Sequence, residues 1–173
     1  MFRTQKGGVM AFDAFVKVST VPGESTDDKH KDWIEILSFS TGVSQPISAV
    51  ASSAGGATSA RCNHQDFTIV KYLDKASPKL ALACATGEHI PDIKIELCRA
   101  GGDKLKYMEY KLSDVVVSSC ASSGNTGGED VPTESVSFNY GKIEWEYTQQ
   151  KRADGAGGGK VSGGWDLTKN KKV

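Results

Sequence analysis

The chain has 173 residues, with Lys+Arg and Asp+Glu both at 21 and a formal net charge of zero. That length is most simply one domain, and a nucleic-acid binder would show a basic excess that is absent here. No apolar run approaches the roughly 20 residues that span a bilayer, and the opening MFRTQKGGV lacks the apolar stretch of a cleavable signal peptide; residues 1–9 therefore read as a disordered leader or extra residues ahead of a single domain over 10–170.

The first strand is expected over residues 12–18, with Phe12, Ala14, Val16 and Val18 on one face. Residues 21–32 form a polar loop. WIEILSFS, 33–40, is the next strand, with Leu37 and Phe39 opposite Ser38 and Ser40. Residues 49–61, AVASSAGGATSAR, are a long loop of small side chains, a type that is usually functional or mobile. Residues 66–73 read as a strand. Ser77 as N-cap, Pro78 at the first helical position and Gly87 as terminator predict the single helix. In IKIELCR, 93–99, Ile93, Ile95 and Leu97 point inward and Lys94 and Glu96 outward. A turn at 100–103 leads to LKYMEYKL and DVVVSS, one or two strands, and residues 121–132 form a second long loop.

The run 134–147 contains a phase slip. Val136, Phe138 and Tyr140 are apolar at even positions, and Ile143, Trp145 and Tyr147 at odd ones. One regular strand cannot keep both sets on one buried face, so a bulge or a corner between sheets is expected at Gly141. A glycine-rich polar segment follows, then a last short strand, 165–170, and a basic tail, Lys171 and Lys172. These elements indicate a mainly β fold, a two-sheet barrel or sandwich with one helix at its side.

No chemistry-bearing constellation emerges. Cys62, Cys84, Cys98 and Cys120 match neither a zinc template nor a CxxC pair and read as free structural thiols. Cys62 and His64 are two ligands short of a metal site, and His30, His64 and His89 read as solvated loop residues. No GxSxG elbow and no phosphate-binding glycine loop is present. No catalytic, cofactor-binding or metal-binding residue is assigned, and the protein is expected not to be an enzyme. What remains is a β domain with open edges that pair readily. Composition alone leaves assembly open against a secreted ligand- or carbohydrate-binding β-barrel without catalytic activity.

Several motifs resemble the Hcp family, the tube-forming proteins of bacterial type VI secretion. MAFDAFVKV followed by VPGES is similar to the family's opening strand and Gly-Glu-Ser turn. KYLDKASPKLALACATGEHIP resembles its strand-to-helix segment, RAGG its hairpin turn, and GGEDVPTESV its Gly-Gly-Glu-Asp stretch. Arg152-Ala153-Asp154-Gly155 and Gly164-Trp165 complete the order, so the resemblance runs from Met10 to about Thr168. The extra cysteines Cys62, Cys98 and Cys120 and the nine residues before Met10 depart from it.

The resemblance implies a small two-sheet β-barrel like that of phage tail-tube proteins. It implies a homohexameric ring with a wide hole, and rings stacked into a tube that a contractile sheath expels. Its partners would be further copies of itself, the spike protein, the sheath and small effectors carried in the ring, with no nucleic acid and no membrane insertion. The protein would be cytoplasmic before firing and extracellular afterwards, and a chain ending at Val173 leaves no room for a fused toxin. Ring stacking or subunit contact is expected from Ser52, Ser53, Gly55, Gly56, Thr58, Ser59, Gly127, Gly128, Glu129 and Asp130. The lumen is expected at Ser38 and Ser40, polar residues on one strand face.

Overall fold

The computed structural model describes residues 12–46, 61–100, 104–126, 131–150 and 157–173. The stacking candidates Ser52, Ser53, Gly55, Gly56, Thr58, Ser59, Gly127, Gly128, Glu129 and Asp130, and the expected leader, lie outside them.

Among the described residues, eleven strands and one helix follow the order β1 (Phe12–Val18), β2 (Ile34–Ile36), β3 (Ser38–Ser40), β4 (Val43–Ser44), β5 (Asn63–His64), β6 (Phe67–Tyr72), α1 (Ser77–Thr86), β7 (His89–Arg99), β8 (Lys106–Ser123), β9 (Thr133–Gln150), β10 (Gly157–Asp166) and β11 (Lys171–Lys172). The main ladder runs β11-β10-β9-β8-β7-β1-β2, and β6 adds to β9 and carries β3. All pairings are antiparallel. LKYMEYKL and DVVVSS are one strand. So is the run through Gly141.

The phase slip has a physical origin that involves three strands at once. Buried residues switch parity from Ile90 to Ile93 in β7, from Leu112 to Val115 in β8, and from Tyr140 to Ile143 in β9. The flanking pairs Ile90↔Val115 and Asp92↔Ser113 set Pro91 beside Asp114, and Ser113↔Lys142 and Val115↔Tyr140 set Asp114 beside Gly141. Proline lacks a ladder donor, Asp114 has φ of +52°, and Gly141 has no side chain. A Cβ at Gly141 would lie 3.2 Å from Asp114 Cβ and 3.0 Å from its Oδ2. The register is the same on both sides of this line, so the corner expected at Gly141 is present and the extra residue of a bulge is not. A register shift falls instead between Val117 and Ser119.

At the corner β9 changes neighbours. Its first half pairs with β6, ending at Phe67↔Phe138, and its second half with β10, from Asp166↔Lys142. The sheet is thereby folded into two layers around one core, in which Phe67, Ile69, Ile93, Ile95, Leu112, Phe138 and Ile143 are almost wholly buried. The expected strand 33–40 is broken at Leu37, and its two pieces pair with different layers, β2 with β1 and β3 with β6. Leu37 is consequently exposed, while Phe39 packs on the core. The ladders do not close into a barrel, and a sandwich describes them.

Two further expectations are corrected, and one ladder is new. Residues 165–170 are the end of β10 and a turn, and the glycine-rich segment from Gly157 supplies β10 itself. β4 and β5 form a separate two-stranded ladder, Val43↔His64 and Ser44↔Asn63, at the base of the long loop. Helix α1 begins one residue early: Ala76 is its N-cap, without a side-chain bond, and Ser77 lies inside. Gly87, with φ of +67°, ends it as expected.

Candidate functional site: two contrasting sheet faces

The layer formed by β3, β6 and the adjoining halves of β8 and β9 has a core side and an outer side. Cross-strand partners share a face, so Ser38↔Val70, Ser40↔Thr68, Thr68↔Ser137, Ser137↔Ser119 and Ser135↔Ala121 place one set of small side chains outward. Ser38 and Ser40 are exposed on it, as the sequence suggested. Thr68 and Ser137 share a hydroxyl bond of 2.9 Å. None of these outward positions carries a charge. The rim does: Asp66 accepts from Ser118 Oγ at 2.5 Å and Asn139 Nδ2 at 2.8 Å.

Beyond the corner the outward face is charged. Lys94, Lys111 and Glu144 form one cross-strand row, and Glu96, Glu109 and Glu146 the next. A row of three carboxylates would repel across the ladder. Lys106 answers it, touching Glu96 at 3.6 Å and bonding Glu109. Burial alone would pull the Lys106 amine down, but the Glu109 carboxylate, with Glu96 and Glu146, carries it above its ordinary value. Lys160 binds Glu146 at 2.9 Å and holds that carboxyl below the usual range.

The loop after β1 folds onto the outer face of β1 and β7. Gly23 lies against backbone: a Cβ there would be 2.2 Å from the Trp33 carbonyl oxygen, which accounts for glycine in the VPGES turn. Ser25 Oγ donates to Glu35 at 2.8 Å, and Glu24 accepts the Lys75 amide at 2.8 Å. His30, expected to be a solvated loop residue, is 2 % exposed. Its ring stacks on Phe15 at 4.1 Å and meets the Trp33 edge. Its Nδ1 lies 2.7 Å from Asp27 and its Nε2 3.0 Å from Glu96. Lys104, with help from His30, holds the Asp27 carboxyl down at about 2.

The other histidines behave differently. His64 lies in β5, its ring edge-on to Tyr140, its Nδ1 buried without a partner, and burial pushes it down. His89 opens β7, exposed, 3.0 Å from Asp114. Cys62 bonds only the Asn63 carbonyl, at 3.8 Å, so Cys62 and His64 gather no further ligand among the described residues.

A buried ion pair ties helix to sheet. Lys71 and Glu134 are direct cross-strand partners in contact at 2.6 Å, both nearly inaccessible. Ser77 Oγ donates to Glu134 at 2.6 Å and accepts from Lys71 at 3.1 Å and from the Asp74 amide at 3.1 Å. This is why serine stands at the helix start although it is not the cap. The network was not visible in sequence, because lysine and glutamate in alternating strands usually face water.

None of these groups forms a nucleophile–base pair with an open site; the distinctive surfaces are broad faces. Comparison with known proteins identifies the family. The family model "Type VI secretion system effector, Hcp" matches residues 15–147. Protein hcp1 of Pseudomonas aeruginosa is 42 % identical over 163 residues, covering 93 % of this chain and 98 % of that protein. The major exported protein of the same organism is 28 % identical over 82 % of this chain and 83 % of its own length. A solved type six secretion system protein superposes with a TM-score of 0.88 at 41 % identity, over 94 % of this chain and all of that one. A fold, a motif order and relatives that agree over nearly the whole length place this chain in the Hcp family of type VI secretion proteins.

Proposed function

We propose that this protein is the inner-tube subunit of a type VI secretion system. Six copies close into a ring by head-to-tail contacts, rings stack, and the tube leaves the cell with small effectors inside. The observation that carries this reading is the contrast between the two layers. A conduit for varied cargo needs an inner wall that binds weakly and without charge, and the face of Ser38, Ser40, Thr68, Ser135 and Ser137 has that chemistry. The charged layer suits contacts with solvent or neighbours.

The edges support a ring. Among the described residues, β11 covers β10 at Trp165 and Asp166 and the Val173 amide bonds Gly164, leaving the rest of the outer edge of β10 unpaired, with Val161 70 % exposed. The opposite end of the ladder is β2, three residues long. Two unlike edges suit a heterologous contact, which closes into a ring. Cytoplasmic loading before export, and the spike, sheath and effectors as partners, belong to the same proposal. So does ring stacking through 52–59 and 127–130.

Native mass spectrometry and negative-stain microscopy of the full chain test it: a six-fold annulus is the expected particle. A monomer that persists at millimolar concentration, or a monomer carrying a bound small ligand, rejects it. Ser40→Glu should keep the ring and lose co-purifying cargo. Loss of the ring instead would move Ser40 from the lumen to an interface. Deleting residues 53–59 should leave rings that stack poorly.

A further inference from the structure

We propose that His30, Glu96 and Cys98 form a binding site for a borderline divalent cation of the zinc type, lying between the loop after β1 and the outer face of β7. Their ligand atoms lie within 4.8 Å of one another, His30 Nε2 3.0 Å from Glu96 Oε2 and 3.9 Å from Cys98 Sγ. Zinc at about 2.0–2.1 Å from nitrogen, 2.0–2.2 Å from oxygen and 2.3 Å from sulfur sets tetrahedral edges of roughly 3.3–3.7 Å, so on binding Glu96 draws back from His30 and Cys98 moves in, each by a few tenths of an ångström. Histidine, carboxylate and thiolate together suit such an ion.

A second observation lies outside the cluster. Asp27 Oδ1 stands 2.7 Å from Nδ1, on the far side of the ring from the site. Nε2, in a ring that is 2 % exposed, faces a carboxylate oxygen and a wholly buried sulfur. A carboxylate on the far nitrogen of a histidine is the usual device for orienting a metal ligand. Phe15 and Trp33 fix the ring plane, and Lys106 sits by the other Glu96 oxygen, Oε1, leaving Oε2 for the site. Ligation by the Cys98 sulfur requires the ion to displace its thiol proton, so binding releases a proton. The bound ion clips the loop to β7.

The experiment uses the full-length protein, stripped with chelator, kept reduced and titrated with Co²⁺ and then Zn²⁺. Expected are about one cobalt per chain, a sulfur-to-cobalt charge-transfer band, displacement by zinc and a higher melting temperature when loaded. Cys98→Ser should abolish the band, and Asp27→Asn should weaken binding roughly 10–100-fold. Cys62→Ser should change nothing. The proposal is overturned if the unaltered protein takes up no stoichiometric metal, or if the band survives Cys98→Ser or vanishes in Cys62→Ser. Should Cys98→Ser fail to fold, the His30 ring-nitrogen resonances of the unaltered protein decide. Nε2 should shift on zinc addition, and an unchanged signal, with a proton held between the two carboxylates, overturns the site.

Discussion

At the residue scale the most consequential feature is the Lys71–Glu134 pair, which is inaccessible and shared with Ser77. Removing one partner of a buried pair costs about 3–5 kcal/mol where the remaining charge is left uncompensated; here Asp74 Oδ1, 2.6 Å from Lys71 Nζ, keeps part of the compensation. Glu134→Ala should therefore lose less than that in urea unfolding and detach the start of α1, because Ser77 loses its acceptor too. Replacing both residues together with apolar ones, Lys71→Met with Glu134→Leu, should cost less still, and the difference between the two measurements reports the part of the lysine's charge that Asp74 does not offset. His64 gives a pH dependence whose sign is fixed by burial, which pushes its folded-state value below the ordinary one near 6.5. Above that value neither state carries the proton. As pH falls through it, the unfolded chain binds the proton first and stability declines, levelling off below the folded value. His64→Gln should flatten the slope of unfolding free energy just below pH 6.5, measured by denaturant titration at a series of pH values.

At the element scale, the line Pro91–Asp114–Gly141 lets three strands serve two layers. Each residue relieves the corner differently, and Asp114 does so through a left-handed backbone that costs an ordinary L residue about 1–2 kcal/mol. Asp114→Val should destabilise by about that amount and Asp114→Gly should be close to neutral, by urea unfolding. Only the Gly141 part of this device was readable in advance. The apolar residues of β9 reverse phase within one unbroken run, whereas in β8 the reversal sits among valines that suit either face. The break at Leu37 was missed for a related reason: WIEILSFS alternates acceptably as a single strand, and only pairing with β1 on one side and β6 on the other divides it. β10 was missed because glycines are poor evidence for a strand. Here they allow close packing, a Cβ at Gly164 lying 3.2 Å from the Ile143 carbonyl oxygen. Of the candidate site, Ser38 and Ser40 were legible from alternation. The histidine cluster was not, since Asp27, His30, Glu96 and Cys98 meet only when the loop closes on β7.

At the scale of the whole molecule, the two layers differ in what they offer a neighbour, and this bears on how a ring holds together. The uncharged layer has few groups that resist pairing, and its long strands β8 and β9 are flanked on both sides within the chain. In the proposed ring, contact between subunits would therefore fall to the margins, and among the described residues the longest uncovered margin is β10. Natural proteins usually blunt such an edge with charge. This one presents Val161, 70 % exposed, between Lys160 and Ser162. An exposed valine on an open edge makes little difference to a solitary protomer, so Val161→Glu should leave the circular dichroism spectrum unchanged and the stability within about 0.5 kcal/mol. Buried in a subunit contact, the same change places an unpaired carboxylate in a low-dielectric seam. Ultracentrifugation should then show protomers where the unaltered chain gives rings. Val161→Ile, which keeps the surface apolar, should assemble normally. Rings of undiminished stability in Val161→Glu would remove the outer edge of β10 from the subunit contact and leave the shorter edge at β2 to be tested in the same way.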